Sequence, residues 1–200
     1  MKILLHICCA PCEIYPVEKL RKDKHAAGGF FYNPNIHPYS EYLKRKDEVE
    51  KYSKEAGLNI TCPDYDAAEY FQYIMDGENR KNRCPACWRL RIKRCAQFAK
   101  ENGFDAFTAT LLGSPYQDHE VLKNICEDIA QAAGVKFYYE DFRTGFKAAH
   151  DKAKTKGMYR QNYCGCLFSK KERIKKERPE AQSQPVLISG KRQAEEEQKK

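Results

Sequence analysis

Short apolar runs and amphipathic stretches take turns along this chain, and that alternation predicts strands interleaved with helices. Ile3 to Ile7 is a compact apolar run of the kind a buried strand shows. Pro11 can open the following helix in its first turn, where a missing N–H costs no intrahelical bond, and such a helix carries Val17 and Leu20 toward the core. Gly28 to Tyr32 reads as a second strand, ending in the Asn33-Pro34-Asn35 turn. A helix from about Ser40 to Ala56 follows, with Gly57 as its stop signal, and Leu58 to Cys62 is another short strand.

The second half repeats the rhythm. Cys84 through Asn102 has helical spacing, with Leu90, Ile92, Cys95, Phe98 and Ala99 on one face and Gly103 at its end. Phe104 to Leu112 is the next strand. Asp118 to about Ala133 is the clearest helix, since Val121, Leu122, Ile125, Ile129 and Ala132 keep the three-and-four spacing. Gly134 closes it, and Lys136 to Phe142 returns as a strand. Strands alternating with helices predict an α/β fold: a mostly parallel sheet flanked by helices on both faces, a Rossmann-like three-layer arrangement. Binding sites in such sheets collect at the carboxyl ends of the strands.

Cysteine placement changes the picture most. Of 10 cysteines, Cys62, Cys95 and Cys126 are scattered as packing residues would be, whereas the rest fall into three tight groups. Cys8, Cys9 and Cys12 join the first strand to the first helix, whose N-terminus supplies free amides and a positive dipole end that favour thiolates. Cys84 and Cys87 form a C-x-x-C at a predicted helix start, a spacing shared by zinc sites, clusters and redox dithiols. Trp88 stands where haem attachment would need a histidine. With Cys8 and Cys9 this pair offers four thiolates, enough for a 4Fe–4S cluster or a structural zinc. Cys164 and Cys166 flank Gly165, close enough to share one metal ion or to form a strained, easily reduced disulfide.

Bulk properties narrow the setting. The chain's 200 residues suit one well-buried domain, and no run of about 18 apolar residues exists to span a membrane. The first residues lack the long apolar core of a secretory signal, so a cytoplasmic location is expected, where clustered thiols bind metal rather than form structural disulfides. Net charge is +8, which favours a polyanionic partner. Ser169 to Lys200 holds 10 basic against 6 acidic residues, a net of +4. The expected organisation is therefore one catalytic domain over 1–168 and a basic tail over 169–200, helical at first and disordered beyond.

These residues resemble a known family, the cobalamin-independent epoxyqueuosine reductases called QueH. The likeness rests on HICCAPC at 6–12, FYNPNIHP at 31–38, RCPACWRLR at 83–91, TATLLGSPYQ at 108–117 and YRQNYCGC at 159–166, in order across about residues 1–168. It implies removal of the epoxide oxygen from epoxyqueuosine in the tRNA anticodon loop, giving queuosine, with electrons from an unidentified donor. It implies a 4Fe–4S cluster with Cys8, Cys9, Cys84 and Cys87 as ligands, and a second centre at Cys164 and Cys166. That second centre is either a redox-active disulfide pair or one mononuclear iron, which Cys12 would help to bind. The proton for the leaving oxygen has four candidate donors, Asp64, Asp66, Tyr163 and His37. Two other readings compete. A tRNA sulfur-transfer enzyme on a similar scaffold would want a glycine-rich loop after the first strand, where this chain has Cys8-Cys9-Ala10-Pro11-Cys12. A zinc-stapled RNA-binding module would be redox-inert and colourless.

Overall fold

A computed structural model describes residues 1–74 and 80–177. Its sheet has five parallel strands, β1 (Lys2–His6), β2 (Ala26–Phe30), β3 (Ile60–Thr61), β4 (Ala106–Ala109) and β5 (Lys136–Phe137), in the order β3-β2-β1-β4-β5. The chain builds outward from β1 through β2 to β3, then returns to lay β4 on the other edge of β1. That reversal places a crevice beside the carboxyl end of β1, where ligands of doubly wound sheets bind. His6 stands there in register with Phe30 on one side and Ala109 on the other.

Seven α-helices are described: α1 (Ala10–Lys22), α2 (Tyr39–Glu55), α3 (Ala67–Tyr73), α4 (Arg80–Glu101), α5 (His119–Ala133), α6 (Phe146–Thr155) and α7 (Leu167–Glu177). Consecutive strand residues point to opposite faces, and the core divides accordingly. Leu4, Phe30 and Phe107 pack with Ile92 and Cys95 of α4 and Leu122 and Ile125 of α5. Leu5, Ile7 and Phe31 pack with Ile14 and Val17 of α1, Val49 of α2 and Ala149 of α6. Each such side chain contributes about 1.5–3 kcal/mol when taken from water. Gly28 and Gly29 keep β2 narrow: an added Cβ would lie 2.8 Å from the Phe104 ring or 2.9 Å from Ile7 Cδ1.

The strands are shorter than the apolar runs. Leu58 to Cys62 contributes only two residues to the sheet, and Lys136 to Phe142 likewise, because these edges pair on one side alone. The run Phe104 to Leu112 splits into β4 and a 3₁₀ turn over Thr110–Gly113, which swings Thr110 toward β1. On α5 the buried stripe is Leu122, Ile125, Cys126 and Ile129, and Val121 and Ala132 turn outward at its margins. Asp118 caps that helix by accepting from Val121 N, and Gly134 ends it at φ +64°. Helix α4 starts one turn before Cys84, so the C-x-x-C lies within its first turns. Helix α3 is too short, and α6 too poor in large apolar residues, to show a period. Asp66 nucleates α3 by accepting from Ala68 N, and α6 buries only Ala149 and Ala153.

Helix α7 crosses the expected 168/169 boundary and has no buried residue. The remainder of the expected tail, 178–200, lies outside the described residues. No helix among the described residues is long and apolar enough to cross a membrane.

Candidate metal centre

The carboxyl end of β1 runs straight into the first thiol group. Ile7 N still donates to Phe30 O, and Cys8 N then leaves the sheet to donate to Thr110 Oγ1 at 3.1 Å. Cys9 occupies the N-cap of α1 in an extended conformation without a side-chain cap, so the first helical amides face the thiols uncapped. The sulfurs of Cys8, Cys9 and Cys12 all lie within 4.8 Å of one another, with Cys8 Sγ 3.8 Å from Cys9 Sγ and Cys9 Sγ 2.7 Å from Cys12 Sγ. Thr110 Oγ1 donates back to Cys8 Sγ at 3.2 Å. The 108–117 segment thus supplies a wall of the thiol group.

Electrostatics in this triad are asymmetric. Hydrogen bonds from the Cys12 and Cys9 thiols pull the Cys8 thiol well below the usual range against the effect of burial, with Arg91 and Thr110 adding to the drop. Burial pushes Cys9 up, and its neighbours Cys8 and Cys9 push Cys12 up.

Arg91 is the buried cation whose charge acts on a member of each cysteine group. It is 2% exposed, and its Nη2 donates to Asn33 Oδ1 at 2.6 Å, while Asn33 Nδ2 donates to Ile7 O at 2.8 Å. Asn33 thereby ties the guanidinium to the end of β1. Arg91 follows Cys87 by one helical turn on α4, so both face inward together. Burial pushes the Cys87 thiol up to about 12, and Arg91 opposes the rise. Cys8 and Cys164 also feel the Arg91 charge, and Cys164 in turn feels Cys166 and Cys84. Among the described residues the close thiol group is Cys8, Cys9 and Cys12 alone, and Cys84, Cys87, Cys164 and Cys166 stand outside it. Arg91 Nε is buried without a hydrogen-bond partner, an opening for an anionic group. His6 adds no second cation: burial first, then Arg91, lower it to about 3, so it is a neutral ring bonded to Tyr32 O.

The third group hangs on α2. Arg45, 2% exposed, donates from Nη1 to Cys164 O (2.9 Å), from Nη2 to Tyr163 O (3.2 Å) and from Nε to Glu41 Oε1 (2.8 Å). His37 N donates to Gly165 O, and Tyr163 Oη donates to His37 O. Gly165 sits at φ +135°, and a Cβ there would meet Ile36 Cγ1 at 3.0 Å, so glycine is required on both counts. Cys164 is exposed and Cys166 buried, both as free thiols. Replacing Arg45 with methionine is expected to lower stability by about 3 kcal/mol, because Glu41 and two carbonyls lose their partner in a buried place. A thermal melt followed by circular dichroism checks it, an unchanged midpoint being the contrary result.

Of the four candidate proton donors, Asp64 is exposed, Asp66 is committed to capping α3, and the Tyr163 hydroxyl is committed to a carbonyl. His37 is 5% exposed, and both its ring nitrogens lack a partner. Sequence reasoning missed Tyr70, fully buried, whose hydroxyl neighbours Cys166. It also missed Arg91, Arg45, Asn33 and Thr110. The spacing of Arg91 four residues after Cys87 was the available signal.

Comparison with known proteins identifies the family. A family model described as epoxyqueuosine reductase QueH matches residues 3–172. A protein of Thermotoga maritima named epoxyqueuosine reductase QueH is 38% identical over 183 residues, covering 87% of this chain and 93% of its own. One of Dehalococcoides mccartyi with the same name is 37% identical over 176 residues, covering 88% and 96%. A Methanocaldococcus jannaschii structure, titled a predicted subunit of tRNA methyltransferase, superposes with a TM-score of 0.51 at 12% identity, covering 90% of this chain and 88% of that one. That likeness concerns the fold alone.

Proposed function

The chain belongs to the QueH family of epoxyqueuosine reductases, and from that premise we propose that it deoxygenates epoxyqueuosine in the anticodon loop of tRNA using an iron–sulfur centre on its own cysteines. It is an oxidoreductase of tRNA queuosine biosynthesis, and the reading places it in the cytoplasm as a single catalytic domain over 1–168 with a basic tail. The observation that carries the proposal is the thiol triad of Cys8, Cys9 and Cys12 at the carboxyl end of β1, its sulfurs within 4.8 Å of one another, with the charge of buried Arg91 acting on it and on Cys87 and Cys164.

The residues fit a 4Fe–4S cluster by chemistry. Four thiols, Cys8, Cys9, Cys84 and Cys87, would hold it, with the α1 amides and the unpartnered Arg91 Nε offering donors to its sulfurs. When bound, such a cluster supplies electrons one at a time. Converting an epoxide to an alkene takes two electrons and two protons and releases water, so a second centre at Cys164 and Cys166 is useful. Cys164, being exposed, is the member a macromolecular substrate can reach. Cys166, fixed by Ser169 N at 3.3 Å, backs it from inside. Cys12, whose sulfur lies 2.7 Å from Cys9 Sγ, would join a mononuclear iron in the second version of that centre. Buried Tyr70 and His37 are the protic groups beside this pair.

Anaerobically purified protein is expected to be brown, with a broad visible absorption, and to form queuosine from tRNA carrying the epoxide when given dithionite. Colourless zinc protein lacking this turnover would instead favour a zinc-stapled RNA-binding module.

A further inference from the structure

Beside the exposed Cys164 lies a lip of aromatic rings that no step of the reduction uses. Tyr39 is 55% exposed yet stacked on Tyr42 (ring centroids 5.9 Å apart, planes 13°) and packed against Tyr65 at 5.2 Å. Tyr65 Oη donates to Ile36 O at 2.8 Å, which fixes that group to the 33–38 loop. Phe71 is 42% exposed and stacks on His37 at 4.8 Å and 25°. His37 N bonds Gly165 O, so Phe71 of α3 and, through Tyr65, Tyr39 of α2 pack against the loop that holds the cysteine pair. Half-open rings held from behind are preorganised for contact, because ordering them costs nothing further on binding.

The segment that follows the cysteine pair is cationic. Helix α7 starts at Leu167 and carries Lys170, Lys171, Arg173, Lys175 and Lys176. Its two glutamates are already committed, Glu172 to Arg83 and Glu177 to Arg173. The exposed residue Cys164 is thus tied through Gly165 to the ring-bearing segment and through three residues of chain to a basic helix. Lysines alone suit any polyanion, and rings alone suit any apolar partner. The combination suits unpaired nucleotides, which offer a phosphate on one side and a flat base on the other.

We propose that Tyr39 and Phe71 form a stacking platform for the unpaired bases that flank the modified base of the RNA loop, while the α7 lysines hold the adjoining phosphates. This rests on the tRNA reading above and adds how the loop is held open. A base delivered to Cys164 has to leave its stack, and its neighbours lose stacking partners with it. Sequence-specific and single-stranded RNA binders restore that loss on aromatic side chains.

The test uses cluster-loaded protein and a synthetic anticodon stem–loop with 2-aminopurine at the positions flanking the modified base, whose fluorescence is quenched by stacking. Wild type is expected to bind and quench. Tyr39→Ala and Phe71→Ala should each abolish much of the quenching and weaken binding roughly ten-fold, with the salt dependence of affinity unchanged. Tryptophan at either position should restore both. Tyr39→Leu and Phe71→Leu keep volume without a π-face, so they carry the same test if an alanine variant folds poorly. Lys171→Ala with Lys175→Ala should do the converse, flattening the salt dependence and sparing the quenching. Unaltered quenching and affinity in the ring variants would overturn the platform. So would normal RNA binding with turnover lost only when a protein replaces dithionite as reductant, which would make the lip a donor's docking site. Failure of wild type to bind the stem–loop at all would sink the tRNA reading itself, a result separate from both.

Discussion

Alanine at Cys8, Cys9, Cys84 or Cys87 is expected to strip the brown absorption from anaerobically purified protein and reduce queuosine formation to background. Each cluster iron takes one thiolate, and the protein offers little slack to replace one: Cys9 and Cys87 are buried in fixed elements, an N-cap and a helix turn. Iron and sulfide, about four each per chain in wild type, should fall together. Arg91→Met is the graded companion. It removes the cation that Cys8, Cys87 and Cys164 share without removing a ligand, so iron affinity or turnover should drop about 10- to 100-fold, as losses of supporting groups around metals do. Arg91→Lys would keep the charge but not the fork that reaches Asn33. Cys126→Ala is the control. That thiol is fully buried among apolar residues of α5, so its loss should cost about 1–2 kcal/mol of stability and leave the absorption intact. A colourless Cys126→Ala, or a brown, active Cys84→Ala, would show that the ligand set is wrong.

The fold was legible because its cause is local. The run Ile3 to Ile7 and the spacing Leu122, Ile125, Ile129 state a buried strand and a one-faced helix without help from the rest of the chain. Alternation then leaves a parallel sheet as the economical arrangement, and the site location follows from strand ends. Edge strands were overestimated because an apolar run reports burial, whereas strand length depends on a neighbour to pair with. Phe104 to Leu112 stays buried past Ala109, but its backbone has turned into a 3₁₀ bend by then.

The site was half legible for a related reason. Cysteines in clusters announce themselves, and glycine between two of them announces an unusual backbone, realised here at φ +135°. What brings them together does not announce itself. Arg45 and Arg91 look like surface residues in a chain rich in basic residues, and only the fold shows both to be 2% exposed. Tyr70 lies on α3, seven residues long, too short for a period to declare its inward face. Tyr39 and Phe71 are the converse: large aromatic residues found exposed at the surface.

Serine at Cys164 or Cys166 is expected to leave the visible absorption largely intact and abolish queuosine formation. The loop that carries this pair is held through its backbone: Arg45 reaches the carbonyls of Cys164 and Tyr163, and His37 N reaches that of Gly165. Exchanging sulfur for oxygen touches none of these bonds, and a serine at 166 can still accept from Ser169 N as Cys166 Sγ does. The loop should therefore stay in place while its redox or metal-binding capacity disappears, which separates chemistry from structure more cleanly than any change at Gly165. Two further measurements on wild type divide the versions of the second centre. Two thiols appearing on reduction would favour a cycling disulfide, whereas about one iron beyond the cluster's four would favour a mononuclear site, which Cys12→Ser should then weaken. Normal turnover by the Cys164→Ser/Cys166→Ser double variant would remove both versions. Loss of the brown colour in either single variant would instead place these sulfurs among the cluster's own ligands.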